Sequence, residues 1–311
     1  MISMIRAITK LFVVAAAIAT SLPVVSSHAQ NIEYVSANGN DVNSCTPTQP
    51  CADVQGALAK GGLLSGESVR VICIGGSAVN SIGVFLNEGA TADVDCPQGD
   101  LPFFSSAGGV VTVRFRHLSL GEASVASAIT ASSGGTFILE DCVFTDSTAA
   151  ELDVEPNGPL NLVIRNSRIS NSGSGILLKP AAGGSIHAIL DHVTIADNTG
   201  GGIKIDTTNG PVTTDITDSD ISNNGGNGIN AVGNAGGQNI VSIKNSVIAK
   251  NGAAGVQANG ANAGVLVQTT LLDQNTTGAT AVVGGGHIST YGNNSIVGSA
   301  GSGFTGPAPL Q

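Results

Sequence analysis

The chain has 311 residues, with 43 Gly, no Trp, 11% charged residues and a formal net charge of −10. That acidic balance argues against a nucleic-acid partner, whose phosphates call for Lys and Arg. Few aromatic or charged residues, with many Gly, Asn, Ser, Thr, Ile and Val, point to short buried strands joined by tight turns.

In chain order, residues 1–29 read as an export signal. Arg6 and Lys10 precede an apolar run over residues 11–19, and Ser27, His28 and Ala29 give a small-x-small cleavage pattern. The expected mature chain starts at Gln30 and carries ten basic against 22 acidic residues, a net charge of −12. The apolar run is shorter than the ~20 residues of a membrane span, and later runs are interrupted by Gly, Asn or Asp. The expectation is therefore export without a transmembrane segment, to the periplasm, the cell surface or the medium.

Residues 30–105 are expected to form an N-terminal cap and the first irregular coils. All five cysteines lie in the N-terminal half of the expected mature chain: Cys45, Cys51, Cys73, Cys96 and Cys142. Export allows them to oxidise. Cys45 and Cys51 bracket a turn-rich Thr-Pro-Thr-Gln-Pro segment and are expected to pair. Cys73 with Cys96 is the next pairing, which leaves Cys142 as a buried free thiol. No CxxC or HxxxH spacing supports zinc. Residues 69–74 read as the first long strand. The tail over residues 299–311 is expected to lie across the last coil.

Between these ends a pattern recurs: an apolar residue, polar residues led by Asn, Asp or His, then a large apolar residue five positions after the first. The closing residues fall at Leu120, Phe144, Ile169, Ile195, Ile221, Ile248, Leu272 and Ile296, in steps of 24, 25, 26, 26, 27, 24 and 24. In the same phase a glycine precedes an apolar residue at Gly175, Gly202, Gly228 and Gly255. Between the two signals sit Asn171, Asp197, Asn198, Asn223, Asn224, Asn251 and Asn275, suited to left-handed corners and to amide stacking from coil to coil. This period is too short for two-helix repeats. The expectation is an all-β parallel β-helix of ~10 coils, each of 24–27 residues, with the regular part over residues 106–298; residues 30–311 form one domain.

The Ile-x-Asn-x-x-Ile and Asn-x-Gly-Ile phrases resemble the repeats of the pectin-lyase-like superfamily. The opening segment, from Tyr34 through Asp41 to Cys45, Cys51 and Leu58, is also similar to that superfamily's usual start. The resemblance implies a right-handed parallel β-helix whose first coil is capped by a short N-terminal helix, with Asp53 as its N-cap and Gly61 and Gly62 as its stop, and leaves the chemistry open. Polygalacturonase-like signatures (Asn-Thr-Asp, Asp-Asp, Gly-His-Gly, Arg-x-Lys) do not occur, and no arginine falls on the stripe described next.

A β-helix fills its interior with apolar side chains, so a site must use outward residues on neighbouring coils, ~4.8 Å apart. Alternation along the strand after the Gly-apolar signal turns outward Asp153 and Glu155, Leu177 and Lys179, Lys204 and Asp206, Asn230 and Val232, then Gln257 and Asn259. Asp153, Glu155, Lys179, Lys204, Asp206, Asn230 and Gln257 are the candidate carbohydrate-facing residues, able to bind hydroxyls or to act as acid and base. The same alternation of charge also suits a solvated ladder worth ~0.2–1 kcal/mol per pair, and a second ladder, Arg116, Glu140, Arg165 and Asp191, appears elsewhere on the coil. His117 and His192 fall at a turn position filled elsewhere by Asn166, Asp218, Asn245 and Asn293, where bonding a turn is the expected role; His187 and His287 stand isolated. Asp215, Asp218 and Asp220 begin like a calcium loop, yet Asn223 stands in place of its glycine and its bidentate Glu is missing. No cofactor is expected, and calcium lacks support.

Two function classes follow. One is an exported structural or interaction module with weak affinity for an extracellular or cell-wall polysaccharide. The other is a divergent polysaccharide lyase, glycoside hydrolase or uronate epimerase. Loops walling a groove beside residues 153–206 would mark the enzyme; the near-uniform coil lengths predict a smooth column.

Overall fold

A computed structural model describes residues 31–62, 68–74, 91–96, 100–101, 104–106, 111–121, 125–233, 237–299 and 304–307. The proposed export signal lies outside them. The described chain is a parallel β-solenoid with one short helix and three sheets of 12, 9 and 8 strands. Each regular turn contributes a long strand to the first sheet, a two- or three-residue strand to the second and a strand of three to six residues to the third; Ser185–Asp191, Thr194–Ala196 and Ile203–Asp206 form one such turn.

Among the described residues the third sheet has eight strands, so eight turns are complete, from Thr91–Asp95 to Gly278–Val283. This corrects the expected ten. Among the described residues, Asn31–Val35 and Ser68–Cys73 add only to the first sheet, and the segment from His287 adds to the first and second. The long strands also reach seven residues, as in Pro159–Arg165, where Leu160, Leu162 and Ile164 alternate inward.

Register explains the repeat. Leu120, Phe144, Ile169, Ile195, Ile221, Ile248, Leu272 and Ile296 pair in succession along the second sheet. The first seven are fully buried, each stabilising the column by about 1.5–3 kcal/mol. The opening residues stack likewise from Phe115 to Val267, but the last partner is Thr290. Tyr291, expected there, is 40% exposed. In the last repeat the segment between the two slots is one residue longer: Thr290 stands six positions before Ile296, where Val267 stands five before Leu272.

Two corners carry left-handed residues. One holds His117, Asp141, Asn166, His192, Asp218, Asn245 and Thr269; the other holds Asp146, Asn171, Asp197, Asn223, Lys250 and Gln274. Each lets the chain turn within one residue. The residue after the second corner builds the ladder. Asn198 Nδ2 donates to Asn224 Oδ1 at 2.9 Å, Asn224 to Asn251 at 3.0 Å and Asn251 to Asn275 at 3.0 Å. Turning and stacking therefore belong to adjacent residues. The glycine signal follows from this: a Cβ at Gly228 would sit 2.6 Å from Gly255 O and 2.8 Å from Asn251 Nδ2.

At the N-terminal end, where an open solenoid edge would invite polymerisation, a helix packs against the first two strands. Helix α1 (Val54–Lys60) buries Val54, Ala57 and Leu58, and Asp53 accepts from Gly56 N at 2.6 Å. Cys45 is joined to Cys51 and Cys73 to Cys96, while Cys142 is free and buried. At the far end Gly306–Pro307 pairs with Ser289 and Thr290, so this part of the tail lies against the last long strand of the first sheet.

Candidate functional site

The candidate residues stand on the outer face of the third sheet. Their inward neighbours Leu152, Val154, Ile176, Leu178, Ile203, Ile205, Ile229, Ala231, Val256 and Ala258 are buried. Pairing places Asp153, Leu177, Lys204, Asn230 and Gln257 in one outward column. The neighbouring column runs Glu155, Lys179, Asp206, Val232 and Asn259, continued from the same register. All seven candidates thus share one face.

Charges on this face are largely internally compensated. Lys179 Nζ lies 3.0 Å from Glu155 Oε1, and Lys204 Nζ lies 3.6 Å from Asp206 Oδ2. The hydrogen bond and charge of Glu155 hold the Lys179 ammonium above its ordinary range. Burial pushes Asp206 upward, but the hydroxyl and amide of Thr208 and the Lys204 charge outweigh it and leave the carboxyl below its usual range. Asp153 differs: burial, aided by Glu155 and opposed by Lys179, raises its pKa. Its buried Oδ1 has no hydrogen-bond partner, and neither has Asn230 Oδ1.

Beside the first column lies a shallow concavity of about 240 Å³, lined by Ser174, Gly201, Ile203, Lys204, Gly226, Asn227 and Asn230. This departs from the smooth column expected from coil length. No inserted loop makes it; Gly201 and Gly226, which carry no side chain, line it together with Ser174 and Asn227. Asn227 is itself held, donating from Nδ2 to Gln257 Oε1 at 3.1 Å and accepting from Ala254 N at 2.9 Å. Ser174, Asn227 and the two glycines escaped the sequence reading, although the Gly-rich runs at 200–202 and 225–228 carried the signal.

The other sequence candidates separate. Asp215 faces His187 across 3.6 Å on the first sheet, so that histidine is not isolated. Asp218 occupies a corner and Asp220 starts the short strand Asp220–Ser222, which disperses the apparent calcium-loop start. The second charge ladder is present in register, and Arg165 pairs with Glu140 at 3.4 Å.

No family model matches the chain, and no curated protein matches it. Among solved structures it is similar to the crystal structure of pectate lyase Pel9A, with a TM-score of 0.55 and 16% identity over 91% of this chain and 80% of that one. At this identity the likeness shows the fold, a right-handed parallel β-helix. Within this β-helix the stripe and its concavity lie on one rigid sheet, whose hydrogen-bonded strands hold the side chains at fixed spacing.

Proposed function

We propose that this protein is an exported interaction module that takes a polysaccharide chain across the third sheet. The observation that carries the reading is the concavity between Ser174, Lys204, Asn227 and Asn230, set in an in-register polar stripe. Its size is just below the about 300–1,000 Å³ of a small-molecule pocket, so it accommodates one ring of a longer ligand while the stripe accepts the rest. A rigid solenoid adds little ordering cost on binding. The fold shared with a pectate lyase supports a polysaccharide as the ligand class. Aromatic residues make up 3% of the chain, so stacking contributes little and the affinity is weak. Two disulfides support an oxidising destination.

The test is affinity electrophoresis and co-sedimentation with uronate and neutral polysaccharides. Retention by at least one glycan, weakened by Lys204→Ala and by Asn230→Ala, is expected. Failure of every glycan to retard the protein sinks the reading. The export component predicts cleavage near Gln30 and oxidised Cys45 and Cys51 in protein recovered outside the cytoplasm.

One observation favours the second class, a lyase, hydrolase or epimerase. The raised Asp153 carboxyl resembles a group tuned to hold a proton for general acid work. Unsaturated product or new reducing ends, lost in Asp153→Asn, would establish this alternative.

A further inference from the structure

We propose a second, separate site: a three-ligand centre for a zinc-like divalent transition ion, formed by Asp191, His192 and Asp218 at the corner between the first and second sheets. The residues are 26 positions apart along the chain at His192 and Asp218 and show no metal-binding spacing. The solenoid brings them together. His192 and Asp218 occupy the same left-handed corner on successive coils, with φ of 55° and 50°, and Asp191 ends the strand leading into that corner. One ligand atom from each of the three lies within 4.8 Å of the others.

Part of this arrangement is already ordered. Asp191 Oδ1 lies 2.8 Å from His192 Nδ1 and accepts from Thr217 Oγ1 at 3.1 Å. An imidazole with two carboxylates and room for water on the exposed side suits zinc-like ions, and the nitrogen ligand disfavours calcium and magnesium.

The contrast with a related group three coils earlier carries the argument further. His117 occupies the same corner, with Nδ1 2.9 Å from Asp95 and Nε2 3.8 Å from Asp141. There the protein supplies its own cations: Arg70 and Arg116 lie 3.7 and 3.8 Å from Asp95. At the later group the charge ladder breaks. Arg165 is the register neighbour of Asp191 but turns to Glu140, and among the described residues neither Asp191 nor Asp218 has an ion pair with Lys or Arg. Two carboxylates beside an imidazole are left without a protein cation.

The experiment titrates purified protein with Zn²⁺ and separately Ca²⁺ by calorimetry, with Co²⁺ absorption as a report on the ligand field. Asn166 and Asn245 already occupy this corner on other coils, so His192→Asn, Asp218→Asn and His117→Asn are substitutions the backbone accepts. One Zn²⁺ per chain is expected, weakened at least about tenfold by His192→Asn and by Asp218→Asn and unchanged by His117→Asn. Absence of saturable Zn²⁺ binding overturns the proposal. So does equal binding in His192→Asn, equal sensitivity to His117→Asn, or a Ca²⁺ affinity matching that for Zn²⁺.

Discussion

Replacing Asn224 by Ala tests the claim that the amide ladder, more than the corner beside it, holds neighbouring coils together. Asn224 is buried. Its Oδ1 accepts from Asn198 Nδ2 at 2.9 Å and from Asn198 N at 3.3 Å, and its Nδ2 donates to Asn251 Oδ1 at 3.0 Å and to Ile195 O at 3.1 Å. Alanine strands the Asn198 amide and the Asn198 N–H away from water. Asn251 Oδ1 still accepts from the residue 224 backbone at 3.2 Å. At about 1–3 kcal/mol for each stranded group, with overlap between groups in one network, the expected loss is about 3–5 kcal/mol. Asn223→Ala is the control, since it changes only a left-handed corner and costs about 1–2 kcal/mol. Urea unfolding followed by circular dichroism measures both, with an unchanged slope required for the comparison. Hydrogen exchange at Asn198 should accelerate in the first variant and stay near wild type in the second. If Asn224→Ala costs no more than Asn223→Ala, the ladder does not hold the coils as argued.

Four further outcomes follow from the same structure. Gly228→Ala should destabilise strongly, because the new Cβ meets the Gly255 carbonyl at 2.6 Å; a neutral result in urea unfolding would show that the coils can part at no cost. Burial raises the Glu151 carboxyl above 4.5, so the folded state binds the proton more tightly, and this contribution to stability is full below the unfolded pKa and lost as pH rises through the folded one. Glu151→Gln should therefore gain stability relative to wild type between pH 4 and 7, and parallel pH profiles for the two proteins would refute this. The Asp153 shift has the same sign, so Asp153→Asn should be at least as stable as wild type at pH 7 in urea while changing glycan retention. Cys142, buried with its thiol pushed up to about 11, should resist alkylation in the native protein and react only after unfolding, as read by intact mass.

The fold was legible because every coil repeats the same physical demands. A closing apolar residue must fill the same interior slot, so Leu120 to Ile296 declared themselves by spacing and then paired in that order. The stripe was legible for the same reason, since strand alternation alone turns Asp153, Lys204 and Asn230 outward. Spacing could not separate the two duties of the asparagines. Asn223 and Asn224 are adjacent and chemically identical, and only the backbone shows that the first turns the chain while the second bonds the next coil. The eight complete turns also required the register, because a strand such as Asp100–Leu101 has too few residues to show a period.

Glu151 shows how a departure from the repeat is itself structural. Register sets it opposite Gly175, at the start of the column that continues through Gly202, Gly228 and Gly255. In later coils a Cβ at Gly202, Gly228 or Gly255 would meet the next coil's backbone carbonyl at 2.6–2.7 Å and an Asn amide at 2.8–3.1 Å. At this coil the ladder positions are Ser147 and Ser172, whose shorter side chains leave that space open, and the Glu151 carboxylate enters it. Glu151 Oε2 accepts from Ser147 N at 3.2 Å and from the Ser172 hydroxyl, while Oε1 has no hydrogen-bond partner. Glycine with asparagine and glutamate with serine are therefore two solutions to one packing problem. Installing the later solution through Glu151→Gly with Ser172→Asn should extend the ladder by one rung, whereas Glu151→Gly alone should leave a cavity. A double variant no more stable than the single one in urea would show that the two positions are not coupled.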